Sequence, residues 1–241
     1  MNYTRIYSSQ NLKLGKVLVL TQDSSNHLRQ VLRKKEGSFI ELFDGKGSSC
    51  VAEIISLEKK HLTVKVIEER GCSKRKGVKI FLGQSLIKSE PFSFSIQKAT
   101  ELGVVSISPL STERTVIKLD TNSARSRKER WKTITVNACQ QCGENWLPEI
   151  NEIQLLEEWA QSVVAKHKIV LYPMADTKFS SLVFSDSVAV AIGPEGDFTK
   201  REISLLKEKD FIPVKLGERI LRADTAAISV ISSIRTMTKE F

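Results

Sequence analysis

The chain has 241 residues, of which 41% are hydrophobic and 27% are charged. This composition can bury a core, so fibrous and disordered classes are excluded, and the length predicts one large domain or a small domain joined to a medium one. A formal net charge of +9 arises from 37 Lys and Arg against 28 Asp and Glu. No apolar run approaches the roughly 20 residues that cross a bilayer, and the N-terminus lacks the apolar segment of a secretory signal. We therefore expect a soluble cytoplasmic protein without membrane contact, whose four cysteines are thiols.

The positive charge is concentrated in the N-terminal third of the chain. Residues 1–77 carry 15 basic and 8 acidic side chains, whereas residues 78–241 carry 22 and 20. This asymmetry predicts a basic module that docks on a polyanion, joined to a near-neutral domain with another task. A solvated basic surface without a partner is the alternative.

The N-terminal third has the short alternating apolar runs of β structure. Strands are predicted at residues 17–20, 38–44, 50–57 and 61–69, with a glycine hairpin turn at 44–47. A helical segment at 27–33 interrupts them and carries Arg29 and Arg33, with Lys34 and Lys35 beside it. We expect a small β-barrel with a basic rim. The polar, glycine-bracketed segment 71–77 is typical of a linker, so we divide the chain into residues 1–73 and 74–241.

From residue 78 onward, strands alternate with helices. The predicted strands are residues 78–83, 104–110, 168–172, 187–192 and 211–216. The first predicted helix spans residues 90–102 and is capped by Ser89, and the second ends at Gly143. The third has Leu155, Leu156, Trp159 and Val163 on its apolar face, and the fourth begins with a Thr199–Glu202 capping box. The last begins at about Thr225 and buries Ile228, Ile231 and Ile234. This alternation predicts a mainly parallel α/β sheet covered by helices.

Three segments that follow strands stand out as candidate ligand loops. They span residues 108–114, 193–198 and 216–222, and ligands of open α/β sheets bind beyond the carboxyl ends of the strands. Gly193, Gly196 and Gly217 would let the backbone approach a flat ligand. Arg114, Glu195, Arg219 and Arg222 are concentrated at the same predicted rim. A plain tight turn at 193–196 and a surface ion pair between Arg222 and Asp224 are the structural alternatives.

Other chemistries lack a supporting pattern. Cys139 and Cys142 have zinc-like spacing, but no second pair of ligands accompanies them, so we expect no metal site. The two cysteines close a helix instead of opening one after a strand, which favours packing over redox chemistry. Three scattered histidines do not support a catalytic triad, and no GxGxxG follows a strand.

Several blocks of the sequence resemble one family. The stretch IGPEGDFTKREI followed by LGERILRADTAA (residues 192–227) resembles the signature of the RsmE ribosomal RNA methyltransferases, which belong to the SPOUT class. Other blocks agree with this family in the same order along the chain. They are the N-terminal segments 27–33 and 42–45, the block IQKATELG (96–103) with Pro109, Leu110, Thr112, Glu113 and Arg114, and the block around Arg130, Trp131, Ala138, Gln141, Gly143 and 147–150. The resemblance therefore spans nearly the whole chain.

The resemblance implies an S-adenosylmethionine (SAM)-dependent enzyme that methylates N3 of one uridine in 16S rRNA of the small ribosomal subunit. It implies a PUA-like N-terminal domain that binds RNA, and a C-terminal domain with a trefoil knot that forms a homodimer. A knot is not an inference that sequence patterns allow, because true knots are nearly absent among folds. Asp197 stands where the family commonly has a third glycine, and Glu144 stands where an arginine is expected.

The resemblance also assigns site residues. Donor-binding positions are Leu110, Ser111, Thr112, Ile192, Gly193, Pro194, Gly196, Leu216, Gly217, Ile220, Leu221, Thr225 and Ala226. The chemistry of the reaction suggests Arg222 to stabilise the deprotonated uracil and Glu195 either as the base or only as a residue that shapes the donor pocket, and Arg114 is the third candidate catalytic residue. Arg5, Arg29, Arg33 and Lys34 are expected to bind RNA phosphates. Ribose 2′-O-methylation and a non-catalytic rRNA-binding factor are the rival functions.

Overall fold

The protein is described by a computed structural model that covers residues 3–58, 61–115 and 121–241. The chain divides into two compact units, Met1–Arg75 with Cys139–Leu147, and Lys76–Ala138 with Pro148–Phe241. The segment Cys139–Leu147, which the sequence placed in the C-terminal domain, thus belongs to the first unit. Among the helices of these described ranges, none has the length and apolarity to cross a bilayer.

The first unit is built on a mixed five-stranded sheet. Its strands are β1 (Thr4–Tyr7), β2 (Val17–Val19), β3 (Phe39–Phe43), β4 (Ser48–Leu57) and β5 (Leu62–Cys72), in the order β1-β3-β4-β5-β2. The β1–β3 pair is parallel and the other pairs are antiparallel. Helix α1 (Gln22–Asn26) continues into a π-helical turn, His27–Val31, so the predicted helical segment is present but starts earlier. The sequence did not predict β1, a four-residue strand with only Ile6 buried.

Alternation of apolar and polar residues builds the core of this unit. Leu62, Val64 and Val66 of β5 are buried, while Lys65 and Ile67 between and beside them face outward, as the period of two requires. The predicted hairpin turn is confirmed: Gly45 and Gly47 have φ of 71° and 100°. The side chain of Asp44 accepts hydrogen bonds from the backbone N–H groups of Lys46 and Ser48, which closes the turn.

The second unit is a seven-stranded, entirely parallel sheet covered by helices. Its elements are β6 (Lys79–Ser85), α2 (Ser89–Glu101), β7 (Ser106–Ser111), α3 (Thr121–Cys142, whose end lies in the first unit), β8 (Glu149–Ile150), β9 (Gln154–Leu155), α4 (Leu156–Ser162), β10 (His167–Leu171), a 3-10 turn (Phe179–Ser181), β11 (Ser187–Ile192), α5 (Lys200–Glu208), β12 (Ile212–Val214) and α6 (Ala223–Met237). The strand order is β12-β10-β11-β6-β7-β8, with β9 also paired to β7. The predicted parallel α/β architecture is confirmed.

Two hydrophobic clusters cover the two faces of this sheet. Alternate residues of β11 point to different clusters: Val188, Val190 and Ile192 join the one with α2 and α6, whereas Ala189 and Ala191 join the one with α4 and α5. The small residues leave room for the helices on that side. All strands are parallel, so their carboxyl ends open on one edge, and that edge holds the site described below.

Some predicted helix details need correction. Ser89 is the first residue of α2 and Lys88 precedes it as the cap without a side-chain bond. In α6, Ile231 and Ile234 are buried as predicted, whereas Ile228 is partly exposed and Val230 is buried in its place, because the buried face follows the spacing of Ala227, Val230, Ile231 and Ile234. Leu155 lies before α4 and is exposed.

The capping box of α5 is confirmed. The hydroxyl of Thr199 accepts the N–H of Glu202 at 3.2 Å, and the carboxylate of Glu202 accepts the N–H of Thr199 at 2.8 Å.

Candidate functional site

A cavity of about 790 Å³ lies at the carboxyl ends of four adjacent strands of the second unit. Its lining comes from Ile87, Lys88 and Pro91 after β6, from residues 171–174 at the end of β10, from residues 192–197 at the end of β11, and from residues 214–217, 219–224 and 226 between β12 and the first turn of α6. We call it the strand-end cavity. Its volume lies within the range of about 300 to 1,000 Å³ that small-molecule sites occupy.

Two of the three predicted loops meet at this cavity. The 193–198 loop and the 216–222 loop follow β11 and β12, which are separated in the sheet only by β10. The predicted donor-binding residues that line the cavity are Ile192, Gly193, Pro194, Gly196, Leu216, Gly217, Ile220, Leu221 and Ala226. Glu195, Arg219 and Arg222 line it as well. The structure therefore gathers most of the predicted site from two segments of the chain.

The 108–114 loop lies outside the cavity lining. Its first four residues, 108–111, form the end of β7 and not a loop, and the central strand β6 separates β7 from β11, β10 and β12. Leu110 is fully buried in the cluster with Trp159, on the α4 and α5 side of the sheet. Ser111 and Thr112 are partly exposed, and Thr225 in α6 is exposed; none of these four residues lines the cavity.

Arg114 nevertheless reaches the 193–198 loop. Its guanidinium donates a hydrogen bond to the carbonyl oxygen of Gly196 at 2.5 Å, and a Cβ at Gly196 would lie 3.4 Å from the Arg114 side chain. The Glu202 carboxylate, which is buried, accepts the N–H of Glu113 at 2.8 Å with its second oxygen. The residues after β7 thus support the cavity loop from its outer side.

Two segments of the cavity lining were not predicted from the sequence. Ile87 and Lys88 follow β6, and residues Tyr172 to Met174 follow β10. The rule that ligands bind beyond strand ends applies equally to these two strands, so the predicted strand ends at 83 and 172 were the available signal. Neither segment carries the glycine or arginine pattern that marked the other loops.

The 193–198 loop is a tight turn with a residue in the left-handed region. The carbonyl of Pro194 accepts the N–H of Asp197 at 2.9 Å, and Asp197 has a φ of 59°. Its side chain accepts the N–H of Phe198 at 2.8 Å, while the Phe198 ring is buried under α5. Burial raises the pKa of the Asp197 carboxyl above its ordinary value, an effect that its hydrogen bond and the charge of Arg114 oppose.

The cationic side of the cavity is formed by exposed arginines. Arg222 precedes α6 and its carbonyl accepts the N–H of Ala226 at 2.8 Å. Within the ranges that the structure describes, its guanidinium has no hydrogen-bond or ion-pair partner. The alternative of a surface pair with Asp224 is not seen, since Asp224 accepts the N–H of Thr225 instead. The guanidinium of Arg222 is therefore available to a ligand.

Glu195 is exposed and lies in the part of the cavity lining that follows β11. Its carboxylate accepts the backbone N–H of Lys88, the residue before α2, at 3.2 Å. In the described part of the chain only one of its oxygens accepts a hydrogen bond, which leaves the other to solvent or to a ligand.

Comparison with known proteins identifies the family. A family model described as an RNA methyltransferase domain matches residues 74–235, and one described as an RNA methyltransferase PUA domain matches residues 20–67. A ribosomal RNA small subunit methyltransferase E from Buchnera aphidicola is 31% identical over 96% of this chain and 95% of its own length. The chain belongs to the ribosomal RNA small subunit methyltransferase E family.

Solved members share the whole fold. The family's protein from Neisseria gonorrhoeae, solved bound to S-adenosyl methionine, superimposes with a TM-score of 0.90 at 31% identity and covers 98% of both chains. A Legionella pneumophila protein, solved with the bound cofactor SAM, gives a TM-score of 0.94 at 32% identity and 98% coverage of both chains. The Bacillus subtilis methyltransferase E is 28% identical over 96% of this chain and 94% of its own.

In this member of the methyltransferase E family, the four predicted RNA-binding residues differ in accessibility. Arg5 is held inside the first unit, where it pairs with Glu41 and donates to the side chain of Asn145 at 2.6 Å. Arg29 is partly buried and donates to Asn26 at 3.2 Å. Arg33, with a φ of 50°, is exposed, and Lys34 is partly so. Arg5 is therefore a structural residue, and the exposed charge lies after the π-helical turn.

The cysteine pair and Glu144 also have local structural roles. Cys139 is buried and Cys142 is exposed, and the contact with the Cys142 thiol and burial raise the pKa of Cys139. In the described part of the chain, no group of three metal-ligating side chains comes together. One oxygen of Glu144 accepts the N–H groups of Asn145 and Trp146 at 2.7 and 2.9 Å. An arginine, which has no acceptor, could not make these two hydrogen bonds.

Proposed function

We propose that this chain is a SAM-dependent enzyme that methylates N3 of one specific uridine in 16S rRNA of the small ribosomal subunit. The observation that carries the proposal is the strand-end cavity, which is formed by the family's 193–198 and 216–222 loops. Curated relatives named as small subunit rRNA methyltransferases match nearly the full chain, and two solved relatives hold SAM. The uridine N3 position rests on the resemblance of the sequence.

The cavity lining fits this cofactor in shape and chemistry. Ile192, Leu216 and Leu221 offer apolar walls for a flat base. Among the described residues, none except the two chain neighbours lies within 4 Å of a Cβ built on Gly217, so the backbone there is open to a ligand that reads its polar groups. Carboxylates of Glu195 and Asp197 in the lining suit a ligand that carries a positive sulfonium. Bound SAM would supply a methyl group on a good leaving group.

The residues of the chain must then activate uridine N3, which carries a proton at neutral pH. We assign Arg222 to stabilise the negative charge that spreads onto the uracil oxygens as the N3 proton leaves, because its guanidinium is unpaired in the described structure and lines the cavity. An arginine cannot accept that proton. Glu195, one of whose carboxylate oxygens has no hydrogen bond among the described residues, is the proposed acceptor. Arg114 contributes indirectly, through its bond to Gly196.

For the remaining features we propose the family arrangement. Residues 1–73 would form a PUA-like barrel that binds rRNA, and residues 74–241 a SPOUT domain with a trefoil knot. The working protein would be a cytoplasmic homodimer. The basic excess of residues 1–77 supports the RNA-binding role.

Replacing Arg29 and Arg33 by alanine is expected to weaken rRNA binding and to reduce the slope of log affinity against log salt by about 2, because each phosphate contact contributes about 1. SAM affinity should not change. Filter binding at several salt concentrations measures the rRNA affinity and its salt dependence, and calorimetry measures the SAM affinity. Arg5→Ala is the contrasting variant: it should lower stability, since it leaves Glu41 with one less partner. Loss of SAM affinity in the double variant would contradict the division of tasks between the units.

The proposed function is tested by methyl transfer from labelled SAM to small ribosomal subunits from a strain that lacks the gene, followed by nucleoside mass spectrometry. N3-methyluridine at one site is the expected product. A 2′-O-methylated nucleoside would replace the proposed regiochemistry by ribose methylation. Binding of SAM and subunits without transfer would favour an assembly factor that has no catalytic role.

A further inference from the structure

Asp197 places a half-buried carboxylate in the lining of the strand-end cavity, and no step of the mechanism proposed above uses it. Of the other two carboxylates in the lining, Glu195 is exposed and bonded to the N–H of Lys88, and Asp224 is bonded to the N–H of Thr225. Burial withdraws the carboxylate of Asp197 from water and raises its pKa.

The backbone at this position would suit glycine better. Asp197 has a φ of 59°, a left-handed conformation that costs an L-residue about 1 to 2 kcal/mol and that aspartate and asparagine tolerate better than most. The hydrogen bond from Phe198 N–H to the Asp197 side chain holds the carboxylate in place. A residue kept against backbone strain and desolvation is a candidate for function when it lies at a ligand cavity.

None of the charged side chains near Asp197 in the described part of the chain forms an ion pair with it. Arg114 is the nearby cation, but its guanidinium is bonded to the carbonyl oxygen of Gly196. The charge of Arg114 lowers the pKa of Asp197, whereas the negative charge of the nearby Glu202 raises it. No ion pair to Asp197 occurs among the described residues, so its charge is free to act on a ligand in the cavity.

We propose that the Asp197 carboxylate makes the strand-end cavity discriminate between the cationic methyl donor and its neutral product. This inference rests on the proposed function. SAM carries a positive sulfonium, whereas S-adenosylhomocysteine (SAH) lacks the transferred methyl group and has an uncharged thioether at the same place. A fixed carboxylate in a partly desolvated wall attracts the sulfonium and not the thioether. Asp197 is thus a specificity-determining residue that favours donor binding and product release.

Asp197→Asn isolates the charge. Asparagine tolerates the left-handed region and its side-chain oxygen still accepts the N–H of Phe198, so the loop keeps its shape. Calorimetry on the full chain should show SAM affinity reduced about 10-fold and SAH affinity within 2-fold of the wild type. Glu208→Gln, which removes an exposed acidic charge on α5 outside the cavity lining, should leave both affinities unchanged.

Asp197→Gly is the second variant, because glycine relieves the backbone strain and guards against misfolding. It should lose the same preference for SAM over SAH. An unchanged ratio of SAM to SAH affinity in both variants would overturn the inference, and so would an equal loss of both affinities, which would mean that Asp197 only shapes the loop. A wild-type protein that binds neither ligand would instead refute the proposed function.

Discussion

Replacing Arg235 by methionine is expected to lower the free energy of unfolding by about 3 kcal/mol. Arg235 lies in α6 and is buried. Its guanidinium donates to the carbonyl oxygens of Leu102, Gly103 and Val78 at 3.0, 2.7 and 2.7 Å, and to the carboxylate of Glu240 at 2.5 Å. It thereby connects the end of α2, the start of β6 and the C-terminal residues.

Methionine would fill similar space but leave these acceptors without their donor. Urea unfolding followed by circular dichroism measures the loss. Arg201→Met is the matched control, because the Arg201 side chain is 87% exposed, and it should change stability by no more than about 0.5 kcal/mol. A loss below about 1 kcal/mol in Arg235→Met would show that water replaces the guanidinium at these carbonyls.

The contact between Arg235 and Glu240 predicts that the free energy of unfolding depends on pH. Burial alone would raise the pKa of Glu240, but bonds from Thr238 and Val78 and the charge of Arg235 together hold it below its usual value of 4.5. A carboxyl whose pKa is lower in the folded state contributes its stability above the unfolded pKa and loses it as pH falls through the folded one. The stability gap between wild type and Glu240→Gln should therefore narrow steadily below about pH 4.5.

The sequence predicts elements where local periodicity is strong. Alternation in β5 and the Thr199–Glu202 box of α5 are local signals, and the structure confirms both. The two-residue strands β8 and β9 are too short to show a period, and they form only because β7 offers partners.

The position of Cys139–Leu147 in the first unit depends on contacts distant in sequence. The N–H of Gly47 donates to the carbonyl of Asn145 at 3.1 Å, and a Cβ on Gly47 would lie 2.6 Å from the ring of Trp146. No pattern within 139–147 predicts a partner about 100 residues earlier in the chain.

The candidate site also depends on contacts that local sequence patterns do not predict. Strand ends identify loops that face one edge of the sheet, but the order of strands decides which of them meet. Arg114 follows β7, one strand beyond the cavity, and contacts the 193–198 loop from outside. Tyr172 follows β10, between β11 and β12, and therefore lines the cavity although its segment has no marked composition.

Arg222→Ala is expected to reduce kcat about 10²-fold to 10³-fold while SAM and rRNA binding remain close to those of the wild type. The proposed role of Arg222 is to stabilise charge that develops only as the uridine N3 proton leaves, and such a contribution acts on the transition state more than on the bound substrate. Because the side chain has no partner in the described structure, its removal leaves no buried group unpaired, and the fold should be unaffected.

Single-turnover methyl transfer to small subunits, with calorimetry for SAM and filter binding for the subunit, separates these effects. Arg201→Ala removes the same charge from an exposed site outside the cavity lining and should transfer methyl at the wild-type rate. Arg222→Lys keeps a positive charge without the planar guanidinium, so we expect an intermediate rate. If Arg222→Ala bound both partners and kept the wild-type rate, the anion would have to be stabilised elsewhere, and Arg219, the other exposed arginine of the lining, would be the next residue to replace.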